Sequence, residues 1–431
     1  MTSLRRTSAI LLLVILVLPL TSCDIVTPHS TAKLNTQTAF SLAPIASIDM
    51  SPLYKKVWPR GGQYIAEINE QNIMITDIIT QTSITLSAPN TKDVVFAQSG
   101  TILASSSYTE PISLWHLPET TPTPLPGQYD EIHTMYLSRQ GDMLVAMDIT
   151  KIIYVWDLTN NNLVSVYDFS SWPEPNRQIS AIKLSPDKSR IAVISTDDIP
   201  AIKLCNFTEV STCSTITWSA TPRQFYEAEF SPDWNTLALI SGASAQIIDL
   251  STNTAGPLFT HEDSISNWSF SPDGTIFAVY AAGTINQHYA AILKLWDIST
   301  GAQIQTFMRS TFNYATTLNP AWTMVATSSD TGYIHIWNIK SGIQETIYTN
   351  HNIGTEYRAL QYSPDGTILA SLDSDGMLTL WDTQNHSQLR TVSLPNSFPS
   401  SLDFSLHGDW ITTVTDDDHI TLWKPTNPLT E

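Results

Sequence analysis

An all-β fold of repeated four-stranded antiparallel units is what this sequence predicts, on three observations. The first is the stretch 356–392, EYRALQYSPDGTILASLDSDGMLTLWDTQNHSQLRTV. It reads as four short strands: 359–362 alternates towards a Ser-Pro-Asp-Gly turn, 367–371 is small and apolar, 377–381 alternates after a second turn at 373–376, and 388–392 closes the unit. Period-two alternation cut by Gly, Pro and Asp marks antiparallel hairpins. The second is a period. The position of Ser363 recurs at Trp58, Ala97, Ser138, Ser185, Ser231, Ser271, Asn319 and Ser405, at spacings of 39 to 48 residues. Blades of a β-propeller repeat about every 40–45 residues. The third is the ending of the third strand. Trp381-Asp382 recurs as Trp115-His116, Trp156-Asp157, Trp296-Asp297, Trp337-Asn338 and Trp423-Lys424, with degenerate forms at Thr76-Asp77, Cys205-Asn206 and Ile248-Asp249. Nine units in one register predict a single closed β-propeller of four-stranded blades. Seven or eight blades stay open if the weak first unit, residues 55–86, or another degenerate unit is not a full blade.

The Ser-Pro-Asp-Gly turn, the small-residue strand and the Leu-Trp-Asp ending together resemble the WD-repeat family. In that family a His before the first strand, a Ser or Thr in the second, an Asp in the second turn and the Trp form a structural network. His261 fits the His position, nine residues before Phe270, while Asp330 with Trp337 and Asp375 with Trp381 supply the other half. The chain holds fragments of the network, so it resembles the degenerate bacterial members of the family more than the regular ones. The resemblance makes these residues structural and not a catalytic set.

Length and charge agree with a ring. A single core rarely grows past about 250–300 residues, whereas repeats that pack only on their neighbours can continue. The chain has 431 residues and a net charge of −19. Without residues 1–22, which contain Arg5 and Arg6 and no acids, 19 basic residues face 40 acidic ones, leaving −21. That balance repels polyanions and argues against a nucleic-acid partner, and against attraction to anionic head groups.

In chain order, residues 1–22 read as a signal peptide. Arg5 and Arg6 precede ten apolar residues at 9–18, too few to span a bilayer. Leu20-Thr-Ser-Cys23 resembles the lipobox of bacterial lipoproteins, which implies acylation of Cys23 and an extracytoplasmic protein anchored to a bacterial cell membrane. Asp24 resembles an inner-membrane retention signal. Residues 23–44, rich in Thr, Ser, Ala and Pro, read as a flexible tether, 45–425 as the propeller and 426–431 as a tail. The last unit has three strands before the chain ends, so its fourth must come from elsewhere. The stretch around 46–50 is placed to supply it and to remove the open sheet edges.

Chemistry-bearing motifs are scarce. There is no phosphate loop, no HExxH, and no His and carboxylate cluster at metal-ligand spacing, so no metal or cofactor is expected. Asp373, Asp375 and the run Asp416-Asp417-Asp418 lie in turns, where Asp is the ordinary turn former. No serine sits in a GxSxG-like elbow, and the chain reads as a non-enzyme. Cys205 and Cys213 flank a short turn between the third and fourth strands of the fourth unit. If the turn is symmetric about Glu209 they face each other at about 4.5–5.5 Å, a separation a disulfide accepts. Two buried free thiols are the alternative.

Up-and-down strands place the a–b and c–d turns on one face and the b–c and d–a connections on the other. The second face carries the irregularities. The d–a connection at 169–177 exposes Trp172, the next holds Trp218, Arg223 and Tyr226, and the b–c loop of the sixth unit is expanded over 281–290 and contains His288 and Tyr289. Aromatic and Arg side chains dominate binding hot spots, and loops on a rigid scaffold carry function. Trp172, Trp218, Arg223, His288 and Tyr289 are therefore the candidate partner-binding residues. Packing between blades is the competing role, for Trp218 and Tyr226 above all. The expected function is a membrane-anchored binding or scaffolding module for a protein partner, working as a monomeric propeller. A glycan-directed propeller hydrolase and a component of an envelope assembly complex are the alternatives.

Overall fold

The computed structural model describes most of residues 34–425. Outside the description lie 1–33, 50–54, 58–61, 173–178, 196–200, 208–212, 217–224, 310–314, 348–355, 395–398, 426–431 and a few single or paired positions. Side chains at 45–49, 55–56 and 282–291 are outside it as well. The described residues form nine four-stranded antiparallel sheets. In eight of them the four strands follow chain order, from strand a at the channel to strand d at the rim. We number these blades 1 to 8: residues 55–87, 91–124, 132–168, 181–216, 227–260, 265–309, 316–347 and 357–393. The weak first unit is a full blade.

Blade 9 closes the ring. Its strands a to c run from Pro399 to Pro425, and its outer strand is Leu42–Asp49 from the other end of the chain. Leu42 pairs with Pro425 and Asp49 with His419. The packed region begins earlier than the tether boundary at 44 implies. Leu34, Ala39 and Leu42 are buried in the seam between blades 8 and 9, and the Leu34 N–H donates to the Gly408 carbonyl at 3.2 Å. Thr, Asn and Gln separate these apolar positions, which hides them from a compositional reading.

The core is distributed as nine apolar clusters, one at each junction between neighbouring blades. Strand b supplies small apolar residues such as Ala104, Ala146, Ala238, Ala326 and Ala370, so neighbouring sheets can approach face to face. The third-strand Trp residues fill the space left over. Trp115, Trp156, Trp381 and Trp423 are almost fully buried. Each indole N–H needs an acceptor there. A strand-b hydroxyl supplies it for Trp115 (Ser105 Oγ, 2.9 Å), Trp337 (Thr327 Oγ1, 3.1 Å), Trp381 (Ser371 Oγ, 2.9 Å) and Trp423 (Thr413 Oγ1, 2.9 Å). In blade 3 that strand-b position is Ala146, and the Trp156 indole donates to the Pro126 carbonyl at 2.8 Å instead.

The acids of the turns do structural work. In the a–b turn Ser363 Oγ accepts the Ile368 N–H at 2.9 Å and donates to Asp365 Oδ1 at 2.7 Å. Ser231 with Asp233, and Ser271 with Asp273, repeat the pattern. In the c–d turn Asp382 Oδ1 accepts the Gln384 N–H at 2.7 Å, and Asp249 serves Ser251 likewise. The b–c turn corrects one expectation. Asp375 is exposed, and the buried acid is Asp373, whose Oδ1 accepts the N–H groups of Asp375 and Met377 at 3.0 and 2.9 Å. Asp148 occupies the same place in blade 3 and also accepts the Tyr154 hydroxyl at 2.9 Å.

Candidate functional site

The face carrying the b–c and d–a connections departs most from regularity. Blade 6 is the largest departure. The expanded loop expected over 281–290 is a continued β-hairpin. Ile276–Ile285 pairs with His288–Asp297 down to Ile285 opposite His288. Strand b here has ten residues against six in blade 8, which lifts the hairpin about 13 Å beyond its neighbours. His288 and Tyr289 lie at its end, as strand residues, with their side chains outside the described set. Trp218, Arg223 and Tyr226 fall outside the described residues.

Trp172 is half-buried. Its ring meets Phe169 edge-on at 5.5 Å, and the Lys203 ammonium of blade 4 lies 5.0 Å from its centroid. It packs against the apolar seam between blades 3 and 4, so part of its surface serves the fold. In that same seam the Trp of blade 4 is replaced by Cys205, which is disulfide-bonded to Cys213 with the Cα atoms 4.1 Å apart. The two are direct cross-strand partners.

A second region of this face is better formed. Two adjoining grooves, of about 310 and 280 Å³, share the wall Ser107, Glu110 and Pro111 from the b–c loop of blade 2. The first is bordered by Pro89, Pro122 and Pro124, with Trp115 beneath. The second is bordered by Tyr108, Tyr129, Asp130 and Glu131. No Lys, Arg or His is among the described residues lining either one. Tyr108 is 60% exposed, and Ile149, on the next b–c turn, is 57% exposed. The Ile149 N–H donates to the Glu131 carbonyl at 2.9 Å, so this turn lies beside the second groove.

The walls are fixed by the fold. Tyr129 meets Tyr154 and Trp156 edge-on at 5.5 and 5.7 Å, and its hydroxyl accepts the Ile112 N–H at 2.7 Å. Burial pushes the Tyr129 pKa up. Gly127 has φ +134°, and a Cβ there would come within 3.3 Å of the Tyr129 ring, so only glycine lets the connection lie this close. Lys92 pairs with Glu131, donates to the Ile132 carbonyl at 2.7 Å, and lies 5.6 Å from the Tyr108 ring centroid. Its charge is occupied by the wall. Glu110 and Asp130 are exposed carboxylates.

Comparison with known proteins places the repeat. Residues 343–382, from the outer strand of blade 7 through the third strand of blade 8, match the family described as WD domain, G-beta repeat. One unit of this nine-bladed β-propeller thus matches a WD repeat. The propeller is 27% identical over 121 residues to the histone-binding protein MSI1 of Saccharomyces cerevisiae, covering 27% of each chain. It is 28% identical over 115 residues to the target of rapamycin complex subunit LST8 of Bos taurus, covering 25% of this chain and 35% of that one. The matched segments thus span about a third or less of these relatives. Among solved structures, the β-propeller domain of Cps50 (Swd1) from Myceliophteria thermophila aligns with 79% of this chain and 98% of its own, at TM-score 0.41 and 14% identity.

The sequence reading missed the Tyr108 sector. The signal was there: blade 2 follows its Trp with Thr-Pro-Thr-Pro-Leu-Pro at 121–126, where other blades carry a long outer strand. Here that strand is Thr123–Pro124 alone. Two further tryptophans escaped it. Trp234 and Trp322 stand where Gly274, Gly366 and Gly408 stand in other a–b turns, at φ +55° and +53°. Trp234 stacks on Phe230 at 4.3 Å, and Trp322 is buried between blades 6 and 7.

Proposed function

We propose that this propeller is a lipid-anchored, extracytoplasmic protein that binds or scaffolds a protein partner through its b–c/d–a face. The observation that carries the binding role is the preformed groove pair beside exposed Tyr108 and Ile149, because a rigid apolar patch with a polar rim is what a specific interface needs. Two of the relatives are a histone-binding protein and a subunit of the target of rapamycin complex, which supports a protein-interaction role. Export is supported by Arg5, Arg6, the apolar run 9–18 and Leu20-Thr-Ser-Cys23. The Cys205–Cys213 bond adds support, since structural disulfides belong to oxidising compartments.

The path of the described chain supports a direction for this anchor. Leu34 is bonded to the a–b turn of blade 9, and Leu42 opens strand d beside the end of strand c. Cys23 precedes Leu34 by 11 residues, a span of at most about 40 Å. An acylated Cys23 would be tethered within about 40 Å of the a–b/c–d face, which supports an arrangement with the grooves facing away from the membrane.

Replacement Cys23→Ser tests the anchor. The variant is expected in the soluble fraction, with radiolabelled palmitate on the wild type alone; a variant that stays membrane-bound beside an unlabelled wild type contradicts it. Affinity capture from detergent-solubilised membranes tests the module. A stoichiometric protein partner is expected, and its absence under mild detergent and crosslinking speaks against the reading.

A further inference from the structure

Resting on the binding role above, we propose that the blade 2–3 sector takes an extended, Lys- or Arg-bearing polypeptide segment of the partner. Its chemistry follows from the sector. Glu110 and Asp130 are exposed at the rim, no basic group among the described residues lines the grooves, and Lys92 is held by Glu131 and the Ile132 carbonyl. The chain as a whole carries 40 acidic against 21 basic residues, so a cationic segment is attracted at long range as well as at the rim.

The apolar part of the segment has matching ground. Tyr108 lines the second groove, exposed Ile149 lies on a turn bonded to Glu131 of its wall, and Pro111, Pro122 and Pro124 form a stiff apolar wall for the first. Lys92 already lies 5.6 Å from the Tyr108 ring centroid, so the cation of the segment is met by the exposed Glu110 and Asp130 carboxylates, and Tyr108 receives its apolar part. Strand addition is not how the segment docks. The outer strand of blade 2 is Thr123–Pro124, flanked by Pro122 and Pro126, and proline offers no N–H to a further strand. Docking through side chains into two short grooves suits a segment held extended.

A fluorescent eight-residue peptide of alternating Lys and Pro, with its Glu-Pro counterpart as control, probes the full chain in detergent by anisotropy at low salt. The Lys-Pro peptide is expected to bind and the Glu-Pro peptide not to bind. Glu110→Lys should weaken binding about tenfold and Tyr108→Ala about fivefold, with melting temperatures unchanged. Glu345→Lys makes the same charge change on the outer strand of blade 7, at a residue outside the grooves, and should leave affinity within about twofold. Equal weakening by Glu110→Lys and Glu345→Lys overturns the proposal in favour of net charge alone. Unchanged affinity in the Tyr108→Ala/Glu110→Lys double variant overturns it too, as does no binding of the Lys-Pro peptide by the wild type. A concentration-dependent dimer abolished by Tyr108→Ala assigns the sector to a second copy of this chain instead. The two readings are separable: a native partner still captured by the double variant removes this sector while leaving the binding module intact.

Discussion

The two faces of the ring are built on different principles. On the a–b/c–d face the same hydrogen bonds recur from blade to blade: Ser363, Ser271 and Ser231 close their turns, and Asp382, Asp297 and Asp249 cap theirs. On the b–c/d–a face Asp373 and Asp148 cap their turns alike, but the rest varies from blade to blade. One hairpin is extended, one outer strand is cut to two residues, and Tyr108 and Ile149 are left in solvent. Repetition on one face makes the ring rigid, and variation on the other differentiates its surface. Stability and recognition should therefore respond to different substitutions, and each prediction below is a way to break that division.

The largest effect belongs to the third-strand Trp. Trp381→Ala leaves a cavity between blades 7 and 8 and removes the donor to the Ser371 hydroxyl, which keeps its own bond to the Thr379 carbonyl, so a loss of about 3–5 kcal/mol is expected by denaturant unfolding. Partner capture at a temperature where the variant is folded should persist. Next is blade 4, where the disulfide stands in for the Trp. Cys205→Ala with Cys213→Ala releases a loop of eight residues' separation and should cost about 2–3 kcal/mol. Equal stability of oxidised and reduced protein would contradict that role.

A smaller loss is expected from the turns. Ser363→Ala leaves the buried Ile368 N–H without its side-chain acceptor and should cost about 1–2 kcal/mol. The carboxylates beside these serines also set an acid limit. Burial alone would raise the Asp273 pKa, yet hydrogen bonds from Ser271 and Thr275 hold it below the usual carboxylate range. Burial likewise opposes, and bonds from Lys188 and Ser138 outweigh it, at Asp142. A depressed folded pKa stabilises above the unfolded value and is lost as pH falls through the folded one. Asp273→Asn should therefore lower the melting temperature at pH 7 and flatten its fall below about pH 4, so that variant and wild type converge in acid. The smallest expected effect is on the other face: Ile149→Ser should change stability by under about 0.5 kcal/mol, since the side chain is already largely in water.

This division also explains what could be read from the sequence. Ser-Pro-Asp-Gly and Trp-Asp are legible because each residue answers a local demand, such as a hydroxyl for a turn N–H or a carboxylate for the next two amides. Those demands repeat nine times, and with them came the fold, the count of nine and the closing strand near the start of the chain. The b–c/d–a face has no such internal key. Residues 281–290 look like a loop because Gly, Asn and Gln interrupt the alternation, yet backbone pairing carries that hairpin on. Trp172 looked exposed among prolines, and its partner Lys203 lies on another blade, far along the chain. Tyr108 and Ile149 are 41 residues apart and gain meaning only once two blades lie side by side.

The most direct test of which face meets the partner is photo-crosslinking in intact cells. A photoreactive residue at Thr109, on the b–c loop of blade 2, is compared with one at Thr252, on the c–d turn of blade 5. Mass spectrometry of the adducts is expected to find a discrete protein partner from Thr109 and none from Thr252. A protein partner captured from Thr252 and not from Thr109 would contradict the assignment of recognition to the irregular face.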